Sequence, residues 1–164
     1  MRWLIDGYNV IRRDPELVAG EAEGLDAGRA ALLALLARVA RDSSETFTVV
    51  FDGARRTGGT PSPGRVAVMF SRPPDSADDV LRRLAASLRD GAVVVTSDRA
   101  VLDSARRAGA VAVTAEAFLD AARRLPEDDV EDDDEAPPTT RGPRRRPSRE
   151  ARDAARVLRK LRPR

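Results

Sequence analysis

The fold of this chain is organised around residues 1–11, which read MRWLIDGYNVI. Residues 3–5 form an apolar run that predicts a short buried strand. The strand leads into Asp6 and Gly7, and Gly7 allows a sharp turn because it has no Cβ atom. Asp6 and Asn9 are then expected at the carboxyl end of the strand, where open α/β sheets bind ligands. A carboxylate at that position needs a cation or hydrogen bonds, unless it only closes an Asx-turn.

The composition restricts the chemistry of any site. The chain has 164 residues, 41% of them hydrophobic, which is enough for one globular domain with an extension. It has no Cys and no His, which disfavours disulfides, zinc sites and Ser-His or Cys-His nucleophiles. A bound metal is therefore expected to be Mg²⁺ or Mn²⁺ held by oxygen ligands. Because no signal peptide or membrane span is recognisable, a cytoplasmic protein without a membrane partner is expected.

Charge is unevenly distributed, although the net charge is only +2. Residues 127–135 contain 8 acids, whereas residues 141–164 contain 11 basic residues against Glu150 and Asp153. The preceding part of the chain is close to neutral. A tail with separated charges is typical of a segment that interacts with polyanions.

Three segments follow from these patterns. Residues 1–125 are predicted to form a globular body, and residues 126–149 a disordered linker, acidic and then rich in Arg and Pro. Residues 150–164 are predicted to form a basic amphipathic helix or tail. Two roles remain open for this last segment: its arginines bind polyanions, or its Ala/Leu face docks on the body and completes the core.

Strands and helices alternate along the body. Strands are predicted at residues 3–5, 46–51, 65–70, 92–96 and 111–113, and helices at 26–41, 75–88, 99–108 and 115–124. Residues 12–24 are predicted to be a loop or a short helix, and Asp26 to be the N-cap of the helix that follows. Ser76 and Asp79 approximate a capping box. The alternation predicts an α/β fold with a mostly parallel sheet covered on both faces.

Acidic residues follow the predicted strands. Asp6, Asp52 and Asp98 come directly after three of them, and Asp78-Asp79 lies in the first turn of a helix that follows another. Since parallel strands end at the same edge of a sheet, these carboxylates are expected to converge and to raise one another's pKa unless a cation neutralises them. Divalent metals at such a site support phosphodiester hydrolysis by water. Each acid also has a structural alternative, as a helix cap, a first-turn acid or a turn residue.

Four segments together resemble the YacP-like branch of the NYN domain, within the PIN-like nuclease superfamily. The segments are Ile5–Ile11, Val49–Gly53, Ser76–Asp79 and Val95–Asp98. The resemblance covers about residues 1–124 and implies a three-layer α/β/α PIN-like fold with a central, mainly parallel sheet. It also implies an endoribonuclease that cleaves single-stranded RNA with Mg²⁺ or Mn²⁺. Some relatives are linked to RNA cleavage at the ribosome, so RNA and the ribosome are the expected partners.

The resemblance also implies roles for single residues. Asp6, Asp78 and Asp98 would be the principal metal-site acids, and Asn9 would orient substrate or a metal-bound water. Asp52 would be a further carboxylate near the metal, and Asp79 stands where many relatives have Glu. The predicted catalytic residues are Asp6, Asn9, Asp78 and Asp98, and the predicted metal ligands are Asp6, Asp52, Asp78, Asp79 and Asp98. Contacts with nucleic acid are predicted for Tyr8, Arg12, Arg55, Arg56, Ser97 and Arg99.

Two other functions compete with the nuclease. The first is an RNA- or ribosome-binding module of the same fold with little catalysis, which the arginine-rich tail favours and the converging acids oppose. The second is a haloacid-dehalogenase-like phosphatase, suggested by an apolar strand that ends in Asp6. That chemistry needs a second Asp two residues after the nucleophile, and this chain has Tyr8 there.

Overall fold

The computed structural model describes residues 1–22, 24–53, 64–124 and 148–161. The described residues do not include Arg55, Arg56, the acidic run at 127–135 or most of the predicted linker at 126–149. The predicted disorder of the linker therefore stays a prediction. Within the described ranges, no helix is long and apolar enough to cross a membrane.

Five parallel strands form the central sheet of the described structure. They are β1 (Arg2–Asp6), β2 (Thr46–Phe51), β3 (Val66–Phe70), β4 (Ala92–Val95) and β5 (Val111–Val113). Their order across the sheet is β3-β2-β1-β4-β5, so β1 is central. Ile5 pairs with Val49 on one side and with Val95 on the other. The carboxyl ends of these three strands therefore lie level at one edge, as the sequence predicts.

Helices cover both faces of this sheet. They are α1 (Gly7–Arg12), α2 (Pro15–Ala22), α3 (Leu25–Asp42), α4 (Ala77–Leu88), α5 (Arg99–Arg107), α6 (Ala115–Arg123) and α7 (Arg149–Leu158). Successive strand residues point to opposite faces. Trp3 and Ile5 thus pack with apolar residues of α1, α2, α3, α6 and α7, whereas Leu4 packs with those of α4 and α5. The predicted three-layer α/β/α architecture is confirmed.

The segment between β1 and α3 is more helical than its composition indicates. Pro15 does not break structure here, because it is the first residue of α2, where a missing N–H costs little. Buried Asp14 precedes it and accepts hydrogen bonds from the N–H groups of Glu16 (2.9 Å) and Leu17 (3.2 Å). The predicted N-cap of α3 is wrong, since Gly24 takes that position and Asp26 lies in the first turn.

The C-terminal helix α7 packs against the body. Val157 and Leu161 are 0% and 4% exposed and belong to the larger of the two core clusters, and Ala154 and Leu158 pack against that cluster. The opposite face is basic and faces solvent, with the Arg149 side chain 89% exposed. This packing corresponds to the docked alternative for the segment. Binding of polyanions by its arginines stays a prediction.

Candidate active site

Asp6 occupies the centre of the polar edge. It is the last residue of β1 and the N-cap of α1, and it accepts a hydrogen bond from the Asn9 N–H at 3.3 Å. Its other carboxylate oxygen accepts from the Thr96 hydroxyl at 2.9 Å. The side chain is buried, with 8% of the residue exposed. The Asx-type cap predicted as the structural alternative is therefore present, in a buried environment that is unusual for a carboxylate.

Gly7 is required at the next position by close packing. A Cβ atom built on Gly7 would lie 2.3 Å from Cε1 and 2.4 Å from Cδ1 of Phe51. The Phe51 ring therefore occupies the space that a side chain at residue 7 would need. The sequence indicated a glycine for the turn itself, and the structure adds the aromatic ring from β2 as the physical reason.

A hydrogen bond between Asn9 and Ser97 connects the end of β1 to the end of β4. The Ser97 N–H donates to Asn9 Oδ1 at 2.8 Å, and the Ser97 hydroxyl donates to Glu116 Oε2 at 2.7 Å. Glu116, in the first turn of α6, also pairs with Arg13 at 3.3 Å. These contacts place Asn9 in a fixed orientation at the polar edge, with its amide oxygen already engaged.

Asp98 begins α5 as its N-cap. Its Oδ1 accepts from the N–H groups of Ala100 (2.7 Å) and Val101 (3.1 Å). The Asp98 N–H in turn donates to the Thr96 hydroxyl at 3.1 Å. Thr96 is completely buried and thus connects Asp6 to the backbone of Asp98. The capping alternative for Asp98 is observed, and it holds this carboxylate at the same edge as Asp6.

Asp52 fixes the start of α4. Its Oδ1 accepts from the Ser71 hydroxyl at 2.5 Å and from the Ala77 N–H at 3.3 Å. Asp52 thereby connects the ends of β2 and β3 to the helix turn that carries Asp78. Asp79 differs from Asp52, because it forms the predicted capping box with Ser76 at the start of α4. It also pairs with Arg82 at 3.3 Å.

The pKa values show that three of these acids interact. Burial raises the pKa of Asp6; hydrogen bonds from Thr96 and Asn9 oppose this shift, and the charges of Asp78 and Asp98 add to it. Partial burial likewise raises the pKa of Asp78, and repulsion by Asp98 adds to that shift, whereas Arg82, which pairs with Asp78 at 3.6 Å, opposes it. Hydrogen bonds from Ser76 lower the pKa of Asp79. The charges of Asp6, Asp78 and Asp98 therefore act on one another, and those of Asp79 and Asp52 add to the repulsion at Asp78.

The donor chemistry of this set suits a hard cation, but the side chains do not form a closed cage. Carboxylate oxygens are the ligands that Mg²⁺ and Mn²⁺ prefer. A cation would also relieve the repulsion among Asp6, Asp78 and Asp98. Within the described ranges, however, no three acidic side chains form a group that could hold a metal ion as they stand.

The predicted nucleic-acid contacts are only partly described. Arg12 and Arg99 are both exposed. Arg99 is the first residue of α5, next to Asp98 at the polar edge, whereas Arg12 is the last residue of α1, at the far end of that helix from Asp6. Tyr8 is half-buried, with its ring 5.2 Å from that of Phe51 in an edge-on arrangement. Ser97 uses its N–H and its hydroxyl for the contacts given above. Arg55 and Arg56 lie outside the described residues.

Four further residues of the site were missed by sequence reasoning. Thr96 and Ser71 connect the acids, and each follows a strand directly, which is a usable signal. Glu116 also had a signal, as a first-turn acid after a predicted strand. Arg13 had none beyond its proximity to the opening segment.

Comparisons with known proteins identify the family and support the fold. The family model described as YacP-like NYN domain matches residues 3–162. Two solved structures of Rae1 (YacP) from Bacillus subtilis are similar, one of them a mutant. The mutant superposes with a TM-score of 0.62 at 26% identity, covering 74% of each chain. The other has a TM-score of 0.65 at 27% identity, covering 74% of this chain and 73% of that one. No curated protein matched the chain.

Proposed function

Because the chain belongs to the YacP-like NYN domain family, whose members are nuclease-type proteins related to RNA, we propose that it is a metal-dependent endoribonuclease. The proposed reaction is hydrolysis of phosphodiester bonds in single-stranded RNA at the edge formed by Asp6, Asn9, Asp78 and Asp98. The ribosome enters the proposal as the place where substrate mRNA is presented, as the family resemblance implies.

One observation carries the proposal. The buried Thr96 hydroxyl holds Asp6 and Asp98 at one edge of the sheet, and the charge of Asp98 adds to burial in raising the pKa values of Asp6 and Asp78. Carboxylates that repel one another at the ligand-binding edge of a parallel sheet are costly for a protein that only binds RNA, because they also repel phosphate. A bound cation converts the same arrangement into a phosphate-binding site.

The residues divide into three groups by their contacts. Asp6, Asp78 and Asp98 would hold Mg²⁺ or Mn²⁺, which supplies charge neutralisation and an activated water. Asp52 and Asp79 are committed to the start of α4, so we assign them a positioning role rather than a place as ligands. Asn9, held by the Ser97 N–H, contributes orientation through its amide.

The direct test is incubation of the full chain with end-labelled single-stranded RNA, duplex RNA and single-stranded DNA. Each substrate is tested with Mg²⁺, with Mn²⁺ and with EDTA, and single-stranded mRNA also in the presence of ribosomes. The proposal predicts internal cleavage of single-stranded RNA that requires metal and stops with EDTA. Cleavage that persists in EDTA would contradict the metal site, and absence of cleavage under every condition would contradict the enzyme.

A second candidate function has one observation in its favour. The exposed arginines on the solvent face of α7, such as Arg149 and Arg152, favour an RNA-binding module that does not cleave. The two functions differ in metal binding. An enzyme should bind Mn²⁺ in calorimetry and lose that binding in Asp6→Asn, whereas a binding module should retain RNA without Mn²⁺ and without cleavage.

A further inference from the structure

A charged residue, Arg29, lies in the core behind the candidate active site. Along α3 it falls on the same helical stripe as Leu33, Leu36 and Ala40, at spacings of four, seven and eleven residues. It is 5% exposed, whereas arginines of soluble proteins are rarely buried unless they are paired. Its burial is therefore a feature that packing alone does not explain.

Aromatic rings surround the Arg29 guanidinium. Its central carbon lies 5.3 Å from the ring centre of Tyr8 and 5.4 Å from those of Phe51 and Phe70. Distances of this size are typical of cation–π interactions. We refer to Arg29, Tyr8, Phe51 and Phe70 as the Arg29 cluster.

The polar contacts of Arg29 are directional. Nη2 donates a hydrogen bond to the Tyr8 hydroxyl, and Nη1 pairs with Asp26 at 3.0 Å. Asp26 is a weak counter-ion, because its side chain is 70% exposed. The buried Nε has no hydrogen-bond partner within the described residues. The contact with Tyr8 is thus the buried polar contact that orients the guanidinium.

Each ring of the Arg29 cluster adjoins a residue of the candidate active site in sequence. Tyr8 lies between Asp6 and Asn9, and Phe51 immediately precedes Asp52. Phe70 precedes Ser71, whose hydroxyl donates to Asp52. The cluster therefore lies behind the carboxyl ends of β1, β2 and β3, and two of these ends carry acids of the site, Asp6 and Asp52.

Stability is a poor reason to keep a charge at this position. Buried ionic groups can often be replaced by apolar residues of similar size with little loss of stability, because removing a charge from water is costly. A buried guanidinium with an unsatisfied Nε and an exposed counter-ion carries that cost here. With 5% exposure it also cannot reach an RNA phosphate, which separates it from Arg12 and Arg99 at the surface.

We propose that Arg29 is a positioning residue of the active site: through its hydrogen bond to the Tyr8 hydroxyl it sets the first turn of α1 and so the placement of Asn9 and Asp6. The inference rests on the proposed ribonuclease function. A small displacement of reacting groups is enough to slow a reaction strongly, so a support outside contact distance of the substrate can control turnover.

The test compares kcat and KM for RNA in four variants. Arg29→Met removes the charge and keeps an apolar stem, and Tyr8→Phe removes only the acceptor hydroxyl. The double variant completes the cycle. Arg38→Met is the matched control, since this half-buried arginine of α3 donates to the Ala122 carbonyl at 3.0 Å, away from the acidic edge.

Arg29→Met and Tyr8→Phe should each lower kcat at least about tenfold with little change in KM and in melting temperature. The double variant should be no slower than Arg29→Met, because both changes break one contact. Arg38→Met should keep the wild-type kcat. Wild-type kcat in Tyr8→Phe, or independent losses that multiply in the double variant, would overturn the proposal. If Arg29→Met does not fold, Tyr8→Phe alone decides between these outcomes.

A second measurement separates this proposal from the proposed function. Tyr8 is the single tyrosine of the chain, so ring labelling with ¹³C gives NMR signals from one residue. The proposal predicts that these signals shift and that ring flipping accelerates in Arg29→Met but not in Arg38→Met. Unchanged ring signals in Arg29→Met would overturn it even if the wild type cleaves RNA. If the wild type does not cleave RNA, the proposed function fails, and the ring signals still test the hold of Arg29 on Tyr8.

Discussion

The Thr96 hydroxyl donates a hydrogen bond to Asp6 Oδ2 at 2.9 Å and accepts one from the Asp98 N–H at 3.1 Å. Two acid-bearing strand ends, 92 positions apart in the chain, are thus held by one completely buried side chain. The relationship explains how carboxylates that repel each other remain at one edge. It also makes Thr96 a suitable target for mutation.

Thr96→Val should destabilise the protein by about 1–3 kcal/mol, because it leaves Asp6 Oδ2 and the Asp98 N–H without a buried partner. Thr96→Ser, which keeps the hydroxyl, should lose much less. Urea unfolding of the two variants in EDTA measures the difference. Equal stability of Val and Ser variants would show that the hydroxyl contacts contribute nothing.

The raised pKa of Asp6 predicts a pH dependence of stability in the metal-free protein. The folded state holds its proton more tightly than the unfolded state, whose pKa is close to the ordinary value of 3.8. The stabilising contribution of protonation is therefore complete below that value and is lost as the pH rises through the folded pKa. Asp6→Asn, which carries no charge at any pH, should gain stability relative to wild type over this range and keep the gain at neutral pH.

Asp79→Asn provides the control of opposite sign. Hydrogen bonds lower the pKa of Asp79, so its contribution is present above the unfolded pKa and is lost as the pH falls through the folded pKa. This variant should be less stable than wild type at neutral pH and approach it in acid. Urea unfolding in EDTA at a series of pH values from acid to neutral measures how the stability of Asp6→Asn and of Asp79→Asn differs from that of wild type. Asp6→Asn less stable than wild type at neutral pH would contradict the electrostatic description of the site.

Gly7→Ala should cost about 1–3 kcal/mol of unfolding free energy, because its Cβ would overlap the Phe51 ring and force that ring to move. Gly91→Ala is the matched control, since a Cβ there meets nothing within 4 Å. Thermal melting of both variants measures the effect. A Gly7→Ala protein as stable as Gly91→Ala would show that Phe51 moves aside without cost.

In the C-terminal segment, α7 and residues 159–161, a structural and an RNA-binding contribution can be tested by separate substitutions. Leu161→Ala should destabilise by about 2–5 kcal/mol, since Leu161 is buried in the core. Combined replacement of the exposed Arg152, Arg159 and Lys160 by Ala should leave melting unchanged. If these side chains contact RNA, that triple variant should bind more weakly at low salt and with a flatter salt dependence. Unchanged RNA binding would restrict α7 to its structural role.

The fold was predictable where pattern alone decides local structure. The β-branched and aromatic run of β2 and the short strand β5 have the predicted limits, because flanking turn residues leave little choice. Gly109 closes α5 with a φ of +86°, as expected for a C′ glycine. For residues 12–24 the composition does not decide between loop and helix, because nothing in it indicates that Asp14 accepts the first N–H groups of α2 and that Pro15 is its first residue.

The site was predictable in its acids but not in their partners. A strand that ends in Asp indicates where the carboxylate lies, because the parallel sheet fixes the edge. Whether Asp52 points towards Asp78 or accepts from Ser71 depends on how β3 and α4 pack, which no local pattern encodes. Arg29 had a detectable signal, a charge on an apolar helical stripe, but its aromatic neighbours come from three distant strand ends.

The initial rate of single-stranded RNA cleavage in Mn²⁺ shows whether the acids at the sheet edge carry out metal-dependent cleavage. Wild type is compared with Asp6→Asn, Asp98→Asn and Asp103→Asn, the last an exposed acid of α5 that pairs with Arg106 at 2.7 Å. We expect Asp6→Asn and Asp98→Asn to remain folded and to lose cleavage, whereas Asp103→Asn should cleave as wild type does. Normal cleavage by both Asp6→Asn and Asp98→Asn would contradict the account and leave these acids with a structural role.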